Sequence, residues 1–334
     1  MTRGMRALGG AALLMAVWAL ALLASVRWGA VGLSTAQVMQ ALLGEGPGTA
    51  VTIVRELRLP RALQASLVGA MLAASGATFQ ALLRNPLADP YVLGVSSGAA
   101  MGAVAALALG GPWAQPWTLP WAAFAGAVAA LLLVLALASR APSGWDARTV
   151  VLAGVGVSAF GGAVVLLLLS FVRDVETFRA AVLWTMGSLA AASWTSVAVL
   201  AAYAVPGLAL LWAGGRALNA LSLGEDTAAY LGVRVVAVQR TLAAVAALLA
   251  AAAVALSGVI GFVGLIVPHA ARMLWGSEHR RLLPVAALLG ATFLLLADLV
   301  ARLAAAPGEL PIGVVTALLG VPCFLWLVQR RARP

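Results

Sequence analysis

Residues 217–240 read ALNALSLGEDTAAYLGVRVVAVQR, the longest mid-chain break in a sequence that is otherwise almost wholly apolar. Glu225 and Asp226 stand next to Thr227. A small helical patch, Ala228-Ala229-Tyr230-Leu231, follows, and Gly232 stops it. The runs on either side are apolar for about 20 residues each, the length a helix needs to cross a bilayer. A short, structured polar segment held between two such helices is placed to touch something soluble.

The rest of the chain agrees with a bilayer setting. Of its 334 residues, 63% are hydrophobic and 10% charged, against about 45–50% apolar in a soluble domain. No soluble fold hides that much apolar surface, so the solvent is lipid. The formal net charge is +10, and every basic residue is Arg; Lys is absent. In a soluble chain that balance points to nucleic acid. Here the arginines sit between apolar runs, where they orient helices, and nucleic-acid binding is set aside. The single cysteine, Cys323, lies inside an apolar run and excludes an internal disulfide or a cysteine-based metal site.

Breaks at Arg, Pro and Gly divide the chain into ten expected spans, about 7–26, 62–82, 92–109, 121–138, 149–171, 194–213, 240–257, 259–275, 283–303 and 311–329. The N-terminal run is longer than a signal-peptide core of about 7–15 residues, has no clean cleavage site, and reads as the first span. With the N-terminus inside, fourteen of the 21 arginines fall on the inner side and seven on the outer. That asymmetry predicts cytoplasmic termini and places residues 217–240 in the cytoplasm.

Two outer segments have helical signatures. Residues 33–43 begin at the N-cap pair Ser34-Thr35 and end at Gly44, which predicts a short amphipathic surface helix; residues 178–189 end in Gly187-Ser188. Small residues recur at spacing four in Gly94, Gly98 and Gly102 and in Gly154, Ser158 and Gly162, rows that permit close helix packing. Gly258, Gly261 and Gly264, followed by Pro268, are expected to bend or interrupt a span. Broken helices at membrane depth border cavities or are buried in protein.

Catalytic chemistry is absent. A phosphate-binding loop needs G-x-x-x-x-G-K-[ST], and the chain has no Lys. There is no H-E-x-x-H, no pair of histidines, and no nucleophilic serine with a positioned base. His269 and His279 stand at helix ends and carry no metal reading. Without its own ATPase chemistry, the break at 217–240 reads as the place where mechanical work enters from a separate ATPase. Asp298 is the one carboxylate inside a span, and Arg302 follows on the same helical face four residues later. Arg58, Pro60 and Arg61 open the second span on the outer side. With Arg302 they form a positive surface suited to carboxylates of a soluble delivery protein.

Several segments resemble one family. They are Arg58-Leu59-Pro60-Arg61, residues 76–90 (GATFQALLRNPLADP), residues 93–99 (LGVSSGA), Leu223-Gly224-Glu225 with Leu231-Gly232-Val233, residues 261–269 (GFVGLIVPH), residues 297–302 (ADLVAR) and residues 309–316 (ELPIGVVT). Together they resemble the permease subunits of the cobalamin and iron-chelate (FecCD-type) ABC importers, and the likeness covers nearly the whole chain. The resemblance implies an all-α polytopic membrane protein with about ten transmembrane helices, the type II ABC importer permease fold, in one permease domain over 1–334. It implies a bacterial inner-membrane homodimer with the pathway on its two-fold axis. The implied partners are two ABC ATPase subunits, which use ATP and Mg, and a periplasmic or lipoprotein substrate-binding protein.

Carried over by position, ATPase coupling falls on Leu223, Gly224, Glu225, Asp226, Ala228, Leu231 and Gly232. Binding-protein docking falls on Arg58, Arg61 and Arg302, and pathway lining on Gly154 and Ser158. No catalytic residue, metal or cofactor is implied for this chain. Cobalamin-type members carry small hydroxyl residues where the chain enters the fifth span; here Asp146-Ala147-Arg148 occupies that region. Residues 184–194 (WTMGSLAAASW) resemble the version found in siderophore and haem permeases, which favours an iron chelate over cobalamin. The alternative from another class is an ion-coupled secondary transporter, for which a single buried acid is a sparse endowment.

Overall fold

A computed structural model describes residues 3–110, 117–140, 147–306 and 308–331. The described residues are helical throughout, with no strand. The order is α1 (Arg3–Arg27), α2 (Thr35–Leu43), α3 (Gly48–Val51), a π-helical turn (Thr52–Arg58), α4 (Leu59–Leu82), a 3-10 turn (Pro90–Leu93), α5 (Val95–Leu109), α6 (Thr118–Ser139), α7 (Ala147–Phe171) and α8 (Val175–Thr185). Then come α9 (Trp194–Ala213), α10 (Gly215–Ser222), α11 (Glu225–Tyr230), α12 (Val235–Ser257), α13 (Val263–Trp275), α14 (His279–Leu303) and α15 (Ile312–Arg331). Each expected span coincides with a helix. Seven are long and apolar enough to cross a membrane by themselves; α5, α13 and the described apolar part of α15 are shorter.

The second span differs from its expected form. Helical backbone is continuous over Gly48–Leu82, 35 residues. Pro60 lies inside that helix instead of opening it. A proline ring has no N–H and crowds the turn before it, and the turn before Pro60 is the wide π-helical one, where the Leu59 amide reaches back to the Val54 carbonyl. The eighth span also differs. The break expected from the glycines and Pro268 falls ahead of the proline: α12 ends at Ser257, Gly258 has φ +67 and Phe262 φ +69, and α13 begins only at Val263. Pro268 is accommodated within α13. At thirteen residues, α13 is about 20 Å long and reaches part-way across a bilayer core of about 30 Å.

The core is built around α4, the most buried of the spans. It has small residues where other backbones press against it. A Cβ at Gly76 would come within 1.9 Å of the Gly264 carbonyl oxygen, and one at Gly69 within 2.2 Å of that of Gly290, so α13 and α14 both lie directly on its backbone. Its polar side chains tie it to the rest. Gln64 donates to the Leu256 carbonyl (2.8 Å) and accepts from Ser196 (2.5 Å); Ser75 donates to the Ala246 carbonyl (2.8 Å); Gln80 donates to the carbonyls of Gly264 and Leu265. In lipid, such interhelical hydrogen bonds supply packing specificity that apolar contact alone does not.

The short helices follow their caps. Ser34 accepts from the Gln37 amide and Gln37 reaches back to the Ser34 amide, which starts α2; Gly44 in the left-handed region ends it. The helix expected at 178–189 starts earlier, where Asp174 caps the Thr177 amide, and stops at Thr185. Gly187, with φ +75, turns the chain so that the Ser188 amide meets the Ser257 carbonyl (2.8 Å) and the Gly187 carbonyl receives the Ile312 amide (3.1 Å). The irregular segment 186–188 thus exchanges backbone hydrogen bonds with the end of α12 and the start of α15, as non-helical chain within a membrane must.

Candidate functional site

The bundle has two polar ends. One holds α10, α11 and the loop between α4 and α5. Gly224 (φ +119) opens α11, and Gly232 (φ +81) closes it, with the Gly232 amide on the Ala229 carbonyl and the Val233 amide on the Ala228 carbonyl. Glu225 and Asp226 fall in the first turn, where the helix N-terminus favours negative charge. Ala228 is fully buried and anchors the turn. Glu225 is half-buried and accepts from Gln239 on α12 (3.0 Å), tying α11 to the next span. Leu223, Asp226, Leu231 and Gly232 face outward.

The seven residues expected to couple therefore divide into supports, Ala228 and Glu225, and a presented surface. That surface includes one side chain absent from the expectation: Tyr230, 93% exposed, beside Leu223 at 70% and Leu231 at 65%. Its signal was a large aromatic on a six-residue helix bounded by glycines, where no core lies within reach.

This surface is clamped to α14. The Asn219 carbonyl oxygen on α10 accepts the His279 backbone amide (2.8 Å) and lies 2.7 Å from His279 Nδ1, and its amide nitrogen donates to Glu278 (3.0 Å). Trp212 at the end of α9 donates to the Arg280 carbonyl (3.1 Å), while the Arg280 guanidinium lies 5.0 Å from the centre of its ring. Displacing α10 therefore loads the start of α14, and α14 packs along α4.

The other end holds the three arginines. Arg61 bridges two carboxylates: its Nη2 lies 2.9 Å from fully buried Asp298, and its Nη1 2.9 Å from Glu309. Arg302 contacts the other oxygen of Asp298 at 3.0 Å, and donates to the Ser25 carbonyl (3.1 Å), the Ser25 hydroxyl (2.7 Å) and the Trp28 carbonyl (3.2 Å). Arg58 donates to the carbonyls of Val26 (3.0 Å), Arg27 (2.9 Å) and Val31.

The last carbonyls of a helix lack intrahelical partners and carry the negative end of its dipole. Arg58 and Arg302 cap α1 in this way, from two other helices. Both are buried, at 6% and 5% exposure. Of the three arginines expected to dock a binding protein, Arg58 and Arg302 are thus turned into the fold, and Arg61 lies nearer the rim, with 12% of its side chain exposed. The most open member of the cluster is Glu309, at 37%.

Gly154 is a close-packed position. A Cβ there would come within 1.8 Å of the Val92 carbonyl oxygen, so it makes a packing contact between α7 and the 3-10 turn. Gly98 and Gly102 pack in the same manner against Gly126 and Ala122 of α6. Ser158 is half-exposed. Of Asp146-Ala147-Arg148, Asp146 lies outside the described residues. The irregular junction opens onto a groove of about 620 Å³ lined by Met186, Val259, Phe262, Gly313, Ala317 and Leu318. Tyr91 holds the irregular chain ahead of α13, with its hydroxyl 2.9 Å from the Ile260 carbonyl and 3.2 Å from the Ile260 amide.

These features occur together in one class, the membrane permeases of ABC importers. The sequence model of the FecCD transport family matches residues 15–330, and the chain belongs to that family. It is 46% identical to the cobalamin import system permease of Halobacterium salinarum over 85% of this chain and 75% of that one. It is 45% identical to the hemin transport system permease of Yersinia pestis, over 82% of each chain. An uncharacterized ABC transporter permease of Bacillus subtilis is 43% identical over 84% and 80%. Its fold matches a metal-chelate type ABC transporter solved in an inward-facing conformation, with TM-score 0.85 and 33% identity over 95% and 97% of the two chains. The protein is a multi-pass membrane permease of the FecCD family, a transport component.

Proposed function

We propose that residues 1–334 act as one permease domain of a binding-protein-dependent importer in a bacterial inner membrane, with both termini cytoplasmic. The observation that carries the proposal is the α11 surface. In a family permease with no phosphate-binding loop, a rigid knob presents Leu223, Tyr230 and Leu231 away from the bundle while Asn219 fastens its base to α14. Two ABC ATPase subunits seat on two copies of this knob. ATP and Mg are consumed there, and the stroke passes through α10 into α14 and α4. Two copies of the chain pair about a central pathway, with Ser158 of α7 on the pathway side. A soluble or lipid-anchored binding protein delivers cargo at the arginine end, meeting Arg61 and Glu309 first and Arg58 and Arg302 after a shift of the 25–31 segment.

The cargo we propose is an iron chelate, a siderophore or haem. The hemin permease of Yersinia pestis and the metal-chelate type transporter support this choice, as do residues 184–194. Cobalamin is the second reading, favoured by the permease of Halobacterium salinarum. The test is uptake into proteoliposomes containing the chain, its ATPase and its binding protein. Ferric siderophore or haem should enter only with ATP, and uptake should persist when the proton gradient is collapsed. Entry of cobalamin alone selects the second reading. Uptake that follows the proton gradient and ignores ATP overturns the importer.

A further inference from the structure

The loop between α4 and α5 carries an outlier that packing does not explain. Arg84 follows the C-cap of α4 with φ +47, the left-handed position that glycine ordinarily fills. Its amide and that of Asn85 close the helix on the Ala81 and Gln80 carbonyls, a role glycine performs without strain. The Arg84 side chain is exposed and forms no hydrogen bond or ion pair among the described residues. Its Nη1 lies 4.0 Å from where a Cβ on Gly224 would sit, beside the opening of α11.

Leu87 is 50% exposed on the same loop, and the loop is stiff. The Leu87 amide donates to the Asn85 side chain (2.9 Å), Ala88 is buried, and Asp89 caps the 3-10 turn through the Tyr91 amide (2.9 Å). A strained cation and an apolar side chain are therefore held rigidly beside the Leu223–Leu231 surface. Strain that the fold does not need is a pointer to function.

We propose that residues 83–89 form the second half of the ATPase-docking surface, Arg84 taking a carboxylate and Leu87 an apolar recess on the subunit that seats on α11. This rests on the reading of α11 as the ATPase contact. A protein surface fits better than an anionic lipid headgroup, because exposed Leu87 and the Leu223, Tyr230 and Leu231 side chains offer apolar contacts beside the cation that a headgroup does not use.

The test is capture of the cognate ATPase by the full-length permease in neutral-lipid nanodiscs, with thermal melting measured in parallel. Arg84→Gly relieves the backbone, so it should melt at or above the wild-type temperature and yet lose about tenfold or more in ATPase affinity, the scale of a well-buried charged contact. Leu87→Ser should lose affinity similarly, and Arg84→Lys should recover part of the loss. If Arg84→Gly and Leu87→Ser bind as wild type while Tyr230→Asp fails, this inference falls and the α11 reading stands. If Tyr230→Asp also binds as wild type, the α11 reading falls too. A loss seen only when the nanodiscs contain anionic lipid assigns Arg84 to the membrane and overturns the inference.

Discussion

The two polar ends of the bundle treat charged and apolar side chains in opposite ways. At the arginine end, Arg58, Arg61 and Arg302 turn inward onto Asp298, Glu309 and the last carbonyls of α1. At the α11 end, Leu223, Tyr230 and Leu231 turn outward with nothing among the described residues to cover them. The first arrangement is satisfied by the fold; the second is the one we propose another molecule completes. A cation in a membrane protein is therefore no sign of a docking site until its partners are known. An exposed tyrosine on a glycine-bounded turn is the better sign.

The sharpest way to break this contrast is Asp298→Ala. It strands Arg61 and Arg302 without their shared counter-ion, and losing one partner of a buried pair costs about 3–5 kcal/mol. The purified permease should melt far below wild type and accumulate poorly; a wild-type melting curve would show that the cluster is not a buried unit. Tyr230→Asp tests the opposite end. Melting should be unchanged, while ATPase capture falls about 30-fold, the roughly 2 kcal/mol of an interface anchor. A fall in melting temperature with intact capture would make Tyr230 a packing residue.

A smaller effect is expected at the boundary between satisfied and open. Glu309→Gln removes one arm of the Arg61 bridge at a partly exposed site, worth about 1 kcal/mol or less. Because it frees Arg61, it should tighten binding of an acidic delivery protein by a few-fold; weaker binding would place the contact on Glu309 itself. Arg58→Ala should lower the melting temperature more than it changes that affinity, since its guanidinium serves α1.

The smallest expected effect is at Asp89. Burial raises its carboxyl from 3.8 to about 6, against the opposing hydrogen bond from the Tyr91 amide. Ionisation is thus easier in the unfolded chain, and this group's contribution to stability falls as pH rises from about 4 through about 6. Asp89→Asn keeps an oxygen acceptor and should flatten the melting-temperature profile across that window, from about pH 4 to about pH 6.5. An unchanged profile assigns the dependence to other groups.

Much of the architecture was legible because a bilayer forces backbone into helices and apolar faces outward, so span positions follow from hydropathy and arginine spacing. The Ser34 and Gly44 boundaries of α2 were legible for a local reason, since caps act within a turn. The 35-residue helix through Pro60 was not. A proline reads as a break unless the preceding turn widens, and that widening answers to packing. Asp298 and Arg302, four apart on one helix, announced their pair. Arg61 and Glu309 joined it from 237 residues and 11 residues away, respectively, which no periodicity encodes.

Residues 217–240 illustrate the division. Composition alone established that the chain lives in a membrane, that this stretch interrupts it, and that no phosphate-binding loop exists in it, because all three depend on residue type and order. Which of its side chains is a support and which is presented depended on neighbours distant in sequence. Gln239 holds Glu225, Asn219 holds the start of α14, and Arg84 approaches Gly224 from another loop. Burial and pairing belong to the assembled bundle. They decided that Ala228 anchors, that Tyr230 projects, and that two of three arginines close a helix within the chain.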